Sequence, residues 1–124
     1  MAGHEGFGPG VHWNKLSKSD CERLARDTDI PQWLRVYFAA HWRLNQIAHA
    51  EFGPEELAEL LAGTAGKPLS KSGLSNAIRT AKEKGLLMED SSARCLTLPR
   101  HHATTGKGSA SCREHGIRNR YQAA

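Results

Sequence analysis

The chain has 124 residues, 17 Lys and Arg against 13 Asp and Glu, and 39% hydrophobic residues, which suits one domain with a modest core and excludes a multidomain enzyme. No apolar run approaches the ~20 residues that cross a bilayer, and Met1-Ala2-Gly3-His4-Glu5 lacks the basic-then-apolar layout of a secretory signal. The expectation is a soluble cytoplasmic protein with no membrane partner.

The formal net charge of +4 hides an asymmetry: residues 1–66 carry six basic and nine acidic side chains, and residues 67–124 carry eleven basic and four acidic. A concentration of positive charge in the second half is an electrostatic footprint for a polyanion, because phosphate contacts release counterions. Three cysteines, Cys21, Cys95 and Cys112, are an odd count without paired spacing and argue against a disulfide framework.

Residues 1–14 contain Gly3, Gly6, Gly8, Pro9 and Gly10 without an apolar period, which predicts a flexible arm ahead of Trp13. Ser19 followed by Glu22 fits a capping box for a short helix from about Asp20 to Asp27. Pro31 then opens the strongest amphipathic pattern: Leu34, Tyr37, Phe38, His41, Leu44, Ile47 and Ala48 recur at three- and four-residue steps, predicting a helix to about Glu51. His41 falls on the apolar stripe and reads as a core histidine with a satisfied ring. Gly53-Pro54-Glu55-Glu56 opens a short helix carrying Leu57, Leu60 and Leu61, and a loop through Gly63, Gly66 and Pro68 ends it.

Ser70 is the N-cap candidate of a further helix from Lys71 to Lys84, stopped by Gly85. The period then changes, and Leu86-Leu87-Met88 and Arg94-Cys95-Leu96-Thr97-Leu98 read as the two strands of a small β-hairpin that Pro99 closes. The fold class expected is mainly α with a small β-hairpin. Three regions follow: an arm at 1–14, a domain at 15–99 with an N-terminal helical extension, and a basic Cys/His-containing tail at 100–124.

The order of these elements, with Ser70-Lys71-Ser72-Gly73-Leu74-Ser75-Asn76-Ala77-Ile78-Arg79 followed by Lys84-Gly85-Leu86-Leu87, resembles the winged helix-turn-helix superfamily over about 70 residues. The turn of about seven residues is longer than that of the tightest versions. The chain's size and Ala/Arg/Gly-rich composition are similar to small regulators of phages and GC-rich bacteria. The resemblance implies double-stranded DNA as partner, sequence-specific binding, a role in transcription regulation, nucleoid association and no enzymatic activity. It also implies that helix 71–84 enters the major groove.

At 100° per residue, Leu74, Ala77, Ile78 and Ala81 share one side of this helix while Ser72, Ser75, Asn76 and Arg79 project away. Asparagine matches adenine and arginine matches guanine bidentately, and short hydroxyls reach either base edges or phosphates. Lys67, Ser70, Lys71 and Lys82, with Lys84, are placed for backbone phosphates and the helix start. Arg94 is the candidate wing contact, opposed by the charges of Glu89 and Asp90. The alternative function is a winged-helix protein–protein interaction module, and the helices at 20–51 are the expected homodimer surface.

Cys95, one of His101 or His102, Cys112 and His115 provide four nitrogen and sulfur donors, the set a tetrahedral zinc site requires. Such a site would turn the tail into a small zinc-stabilised extension. The other reading leaves Cys95 as a buried small hydrophobe and the remainder in a disordered tail. No phosphate loop, paired carboxylates near the histidines or Gly-x-Ser-x-Gly turn points to catalysis.

Overall fold

The computed structural model describes residues 16–99, 102–103 and 111–117. The arm at 1–14, Trp13, His101 and most of the tail lie outside the described residues. Helix α1 spans Lys18–Ala25, and its N-cap is Ser17, two residues earlier than expected. Ser17 Oγ accepts the Asp20 N–H at 3.3 Å, and Ser19 instead pairs with the Ser17 hydroxyl. The turn that follows is an Asx turn in which Asp27 Oδ1 accepts the Asp29 N–H.

Helix α2 begins behind Pro31 and covers Gln32–Trp42, nine residues short of the expected end at Glu51. Asn45 is the reason. Its Oδ1 accepts the N–H groups of Ile47 at 3.1 Å and His49 at 3.0 Å, so a side chain supplies the acceptor that helical carbonyls would otherwise provide. Ala48 turns into the left-handed region at φ 63°, and strand β1, His49–Glu51, follows. The apolar period through Ile47 and Ala48 is real, but it serves a turn and a strand.

Helix α3 is the short segment Glu56–Leu60. Glu56 fastens its start: one carboxylate oxygen accepts the Gly53 N–H at 2.8 Å and the group pairs with the Arg43 guanidinium. These contacts hold the Glu56 carboxyl below its ordinary pKa, the Arg43 bond contributing most. Helix α4 spans Lys71–Glu83 with Ser70 as N-cap, its hydroxyl accepting the Gly73 N–H at 3.1 Å, and Gly85 leaves it at φ 76°.

Strand β2 is Cys95–Thr97, and it pairs antiparallel with β1, matching His49 with Thr97, Ala50 with Leu96 and Glu51 with Cys95. The expected partner, Leu86-Leu87-Met88, is not a strand. Met88 N–H reaches the Thr97 carbonyl at 2.8 Å, but Ser91 takes over the edge there. Its hydroxyl accepts the Thr97 N–H at 2.8 Å and donates to the Thr97 carbonyl. A side chain thus occupies the positions a hairpin strand would pair with, and the chain closes in a tight Ser92–Cys95 turn.

The result is a small α+β arrangement: helices packed around a two-stranded antiparallel sheet. One face of that sheet feeds the core. Ala50 and Leu96, paired across the strands, are fully buried with Val36, Leu57, Leu61 and Leu98. Arg35 crosses this core, 2% exposed, and donates to the carbonyls of Ala25, Leu60, Leu61 and Ala62. One guanidinium therefore satisfies carbonyls at the C-terminal ends of α1 and α3 together.

Candidate metal centre and nucleic-acid face

Strand alternation puts His49, Glu51, Cys95 and Thr97 on the sheet face opposite the core pair Ala50 and Leu96. His49 and Cys95 are diagonal neighbours there, a separation that long side chains bridge. Against this face lies the turn 112–117, closed by the paired backbone hydrogen bonds of Cys112 and Ile117 at 2.7 and 2.8 Å. Gly116 takes φ 68° to complete it, and Cys112 and His115 point at the sheet pair.

Four donor atoms converge, one from each of His49, Cys95, Cys112 and His115, all within 4.8 Å of one another. Cys95 Sγ lies 3.5 Å from both His49 Nδ1 and Cys112 Sγ. His115 Nδ1 lies 3.4 Å from Cys112 Sγ and 3.1 Å from His49 Nδ1. His49, Cys95 and Cys112 are buried and His115 is half-buried. This group can hold a metal ion.

The surroundings orient the donors. His115 Nε2 faces the Asp90 carbonyl at 2.8 Å, which leaves Nδ1 with its lone pair toward the cluster, as an outer partner of a ligating histidine does. The His115 backbone N–H donates to Cys112 Sγ at 3.4 Å. Ile47 and the half-buried Ile117 pack around the sulfurs. Burial, then the hydrogen bond to Cys112 and the charges of Cys112 and Glu51, push the Cys95 thiol well above its ordinary pKa. A bound cation reverses that balance, since a coordinating thiol is deprotonated outright.

Three of the expected metal-binding residues, Cys95, Cys112 and His115, come together. The fourth is His49, which the helical reading of 31–51 had concealed. His102 stands elsewhere, its Nδ1 3.1 Å from the Tyr37 hydroxyl and its ring edge-on to Tyr37 at 5.9 Å. His49 escaped the reading of the sequence; the signal that could have found it is Asn45, a residue suited to end a helix, followed by His-Ala-Glu in strand alternation.

On α4 the two sides separate as expected: Leu74, Ala77, Ile78 and Ala81 are buried, while Ser70, Lys71, Ser72, Ser75, Asn76 and Arg79 are exposed. Lys67 is exposed in the preceding loop and Lys82 is half-buried. Arg79 approaches Glu83 at 3.7 Å, both about two-thirds exposed, a surface pair of small energy. The Ser70 hydroxyl serves as the helix cap. Lys84 stacks its ammonium 4.5 Å above the Trp33 ring, tying the end of α4 to α2. Arg94 is exposed, and its Nε donates to the Phe52 carbonyl at 2.9 Å while its own carbonyl accepts the Phe52 N–H. No family model, curated protein or solved structure matches this chain.

Proposed function

We propose that this protein is a sequence-specific double-stranded DNA-binding regulator of winged helix-turn-helix type that carries a structural zinc ion. The observation that carries the DNA reading is α4, a capped 13-residue helix whose outer side offers hydroxyl, amide and guanidinium groups at one-turn spacing. The element order supports the same reading: α2, β1, α3, α4 and β2, with β1 paired to β2, frames a three-helix unit around a small sheet. In this reading Asn76 and Arg79 meet base edges, Ser72 and Ser75 meet base edges or phosphates, and Lys67, Lys71 and Lys82 meet phosphates.

The zinc reading rests on donor chemistry and spacing. Zinc–sulfur bonds of about 2.3 Å and zinc–nitrogen bonds of about 2.0–2.1 Å place tetrahedral ligand atoms roughly 3.3–3.8 Å apart. Four of the six donor separations here run from 3.1 to 3.5 Å, and all six lie within 4.8 Å. Two thiolates balance the charge of a divalent ion. Four protein donors also fill the tetrahedron without an open position for water or substrate, which favours a structural role over a catalytic one.

Binding to mixed duplex DNA should weaken steeply between about 50 and 200 mM salt. Alanine at Asn76 and Arg79 should relax selectivity by ~1–3 kcal/mol per lost base contact, whereas alanine at Lys71 should mainly flatten the salt slope. Absence of binding at low salt would overturn the DNA reading and favour a protein-interaction module. For the metal, His49→Ala should abolish stoichiometric zinc while His102→Ala retains it, as read by metal analysis of protein purified without chelator.

A further inference from the structure

The metal centre is divided between two parts of the chain. His49 and Cys95 stand on the sheet, whereas Cys112 and His115 belong to a seven-residue stretch, 111–117, that rejoins the sheet after the residues beyond Pro99. Among the described residues, three further hydrogen bonds hold this stretch, one of them made by the His115 ring. The Arg113 N–H donates to the Glu51 carboxylate at 2.9 Å, the His115 ring meets the Asp90 carbonyl at 2.8 Å, and the Asn45 amide reaches the Ser111 carbonyl at 3.5 Å. Ile117, half-buried against the cysteines, and the fully buried Cys112 add apolar contact. Against the chain entropy of ordering seven residues stand these contacts and the paired Cys112–Ile117 backbone bonds. A bridging ion would add to them, because ligand binding to the ordered state is folding free energy.

We infer that the His49–Cys95–Cys112–His115 centre is a zinc-operated clasp: occupancy seats 111–117 on the sheet and so makes DNA affinity responsive to zinc. The DNA half of this inference rests on the proposed function. Five of the eleven basic side chains in residues 67–124, namely Arg100, Lys107, Arg113, Arg118 and Arg120, lie beyond Pro99. Seating 111–117 holds the Arg113 charge beside the sheet, and tethering a charge raises the effective concentration of phosphate contacts. His115 also carries the effect inward, since its contact with Asp90 reaches the loop between α4 and β2.

The test uses the full chain, loaded with zinc(II) or stripped by a chelator that is then removed. Arg113 is exposed within the turn and offers a tryptic site whose cleavage follows the opened population. Stripping should speed cleavage after Arg113 by roughly tenfold or more, leave the helical circular dichroism unchanged, and lower DNA affinity severalfold with a shallower salt slope. Added zinc(II) should reverse all three. Cys112→Ser and His115→Ala, which lie outside the helical domain, should reproduce the stripped state in the presence of zinc. Equal cleavage with and without zinc, or loss of the helical signal on stripping, would overturn the clasp. Equal DNA affinity in the two states would overturn the zinc response, and absence of DNA binding in both would overturn the DNA-binding reading itself, with the cleavage rates still deciding the clasp.

Discussion

His41 shows how one side chain sets a pH dependence. It is 9% exposed on α2, its ring meets Tyr37 edge-on at 4.5 Å, and its Nε2 lacks a hydrogen-bond partner among the described residues. The core position is as expected, but the ring is not fully satisfied. Burial, with a smaller contribution from the charge of His102, lowers its pKa from 6.5 to about 4. The unfolded chain therefore takes up a proton below pH 6.5 that the folded chain refuses until about pH 4. More protons bind to the unfolded state in that window, so stability falls as pH drops through it, by up to about 3 kcal/mol. His41→Leu should remove this component and cost little at neutral pH, because it buries no orphaned nitrogen. Urea unfolding of both proteins at pH 7 and 4.5 checks this through their difference, which cancels whatever else in the chain titrates. Parallel losses would overturn it.

At the scale of elements, Asn45 separates a helix from a strand. The turn it builds ends α2 at Trp42 and lets His49 start β1 in register with Thr97. Asn45→Ala removes two acceptor contacts and should cost about 2 kcal/mol. It should also weaken the proposed zinc binding, because an extended α2 would carry His49 away from Cys95. Asn45→Asp keeps the acceptor oxygen and should restore both, as read by urea midpoints and zinc titration. Unchanged zinc affinity in Asn45→Ala would mean that the strand, not the turn, positions His49. The same place explains the largest misreading of the sequence. Leu44, Ile47 and Ala48 continue the helical period, and period alone cannot register a side chain that competes for the backbone. By contrast α4 was legible almost to the residue, because Ser70, the buried Leu74, Ala77, Ile78 and Ala81, and Gly85 all agree on one helix.

Across the whole molecule, Arg35 joins what separate elements leave unfinished. Its guanidinium reaches carbonyls at the ends of α1 and α3 from within α2, so the three helices share one buried cation. Arg35→Ala should strand several buried carbonyls and lower stability by about 3 kcal/mol. Arg35→Lys should recover only part of this, because an ammonium lacks the planar fork that spans both helix ends. Chemical denaturation with helical circular dichroism measures both losses, and a full recovery in the lysine variant would show that charge alone suffices.

The sequence by itself determined the helices whose caps and apolar periods coincide, the basic character of the second half, and three of the four donors of the candidate metal centre. These are local properties, read within one or two helical turns. Only the tertiary structure decided that β2 pairs with β1 rather than with residues 86–88, and that His49, and not His102, joins Cys95, Cys112 and His115. Strand pairing and ligand convergence bring together residues as far apart as 49 and 115, and no periodicity within a segment encodes which distant segment will face it.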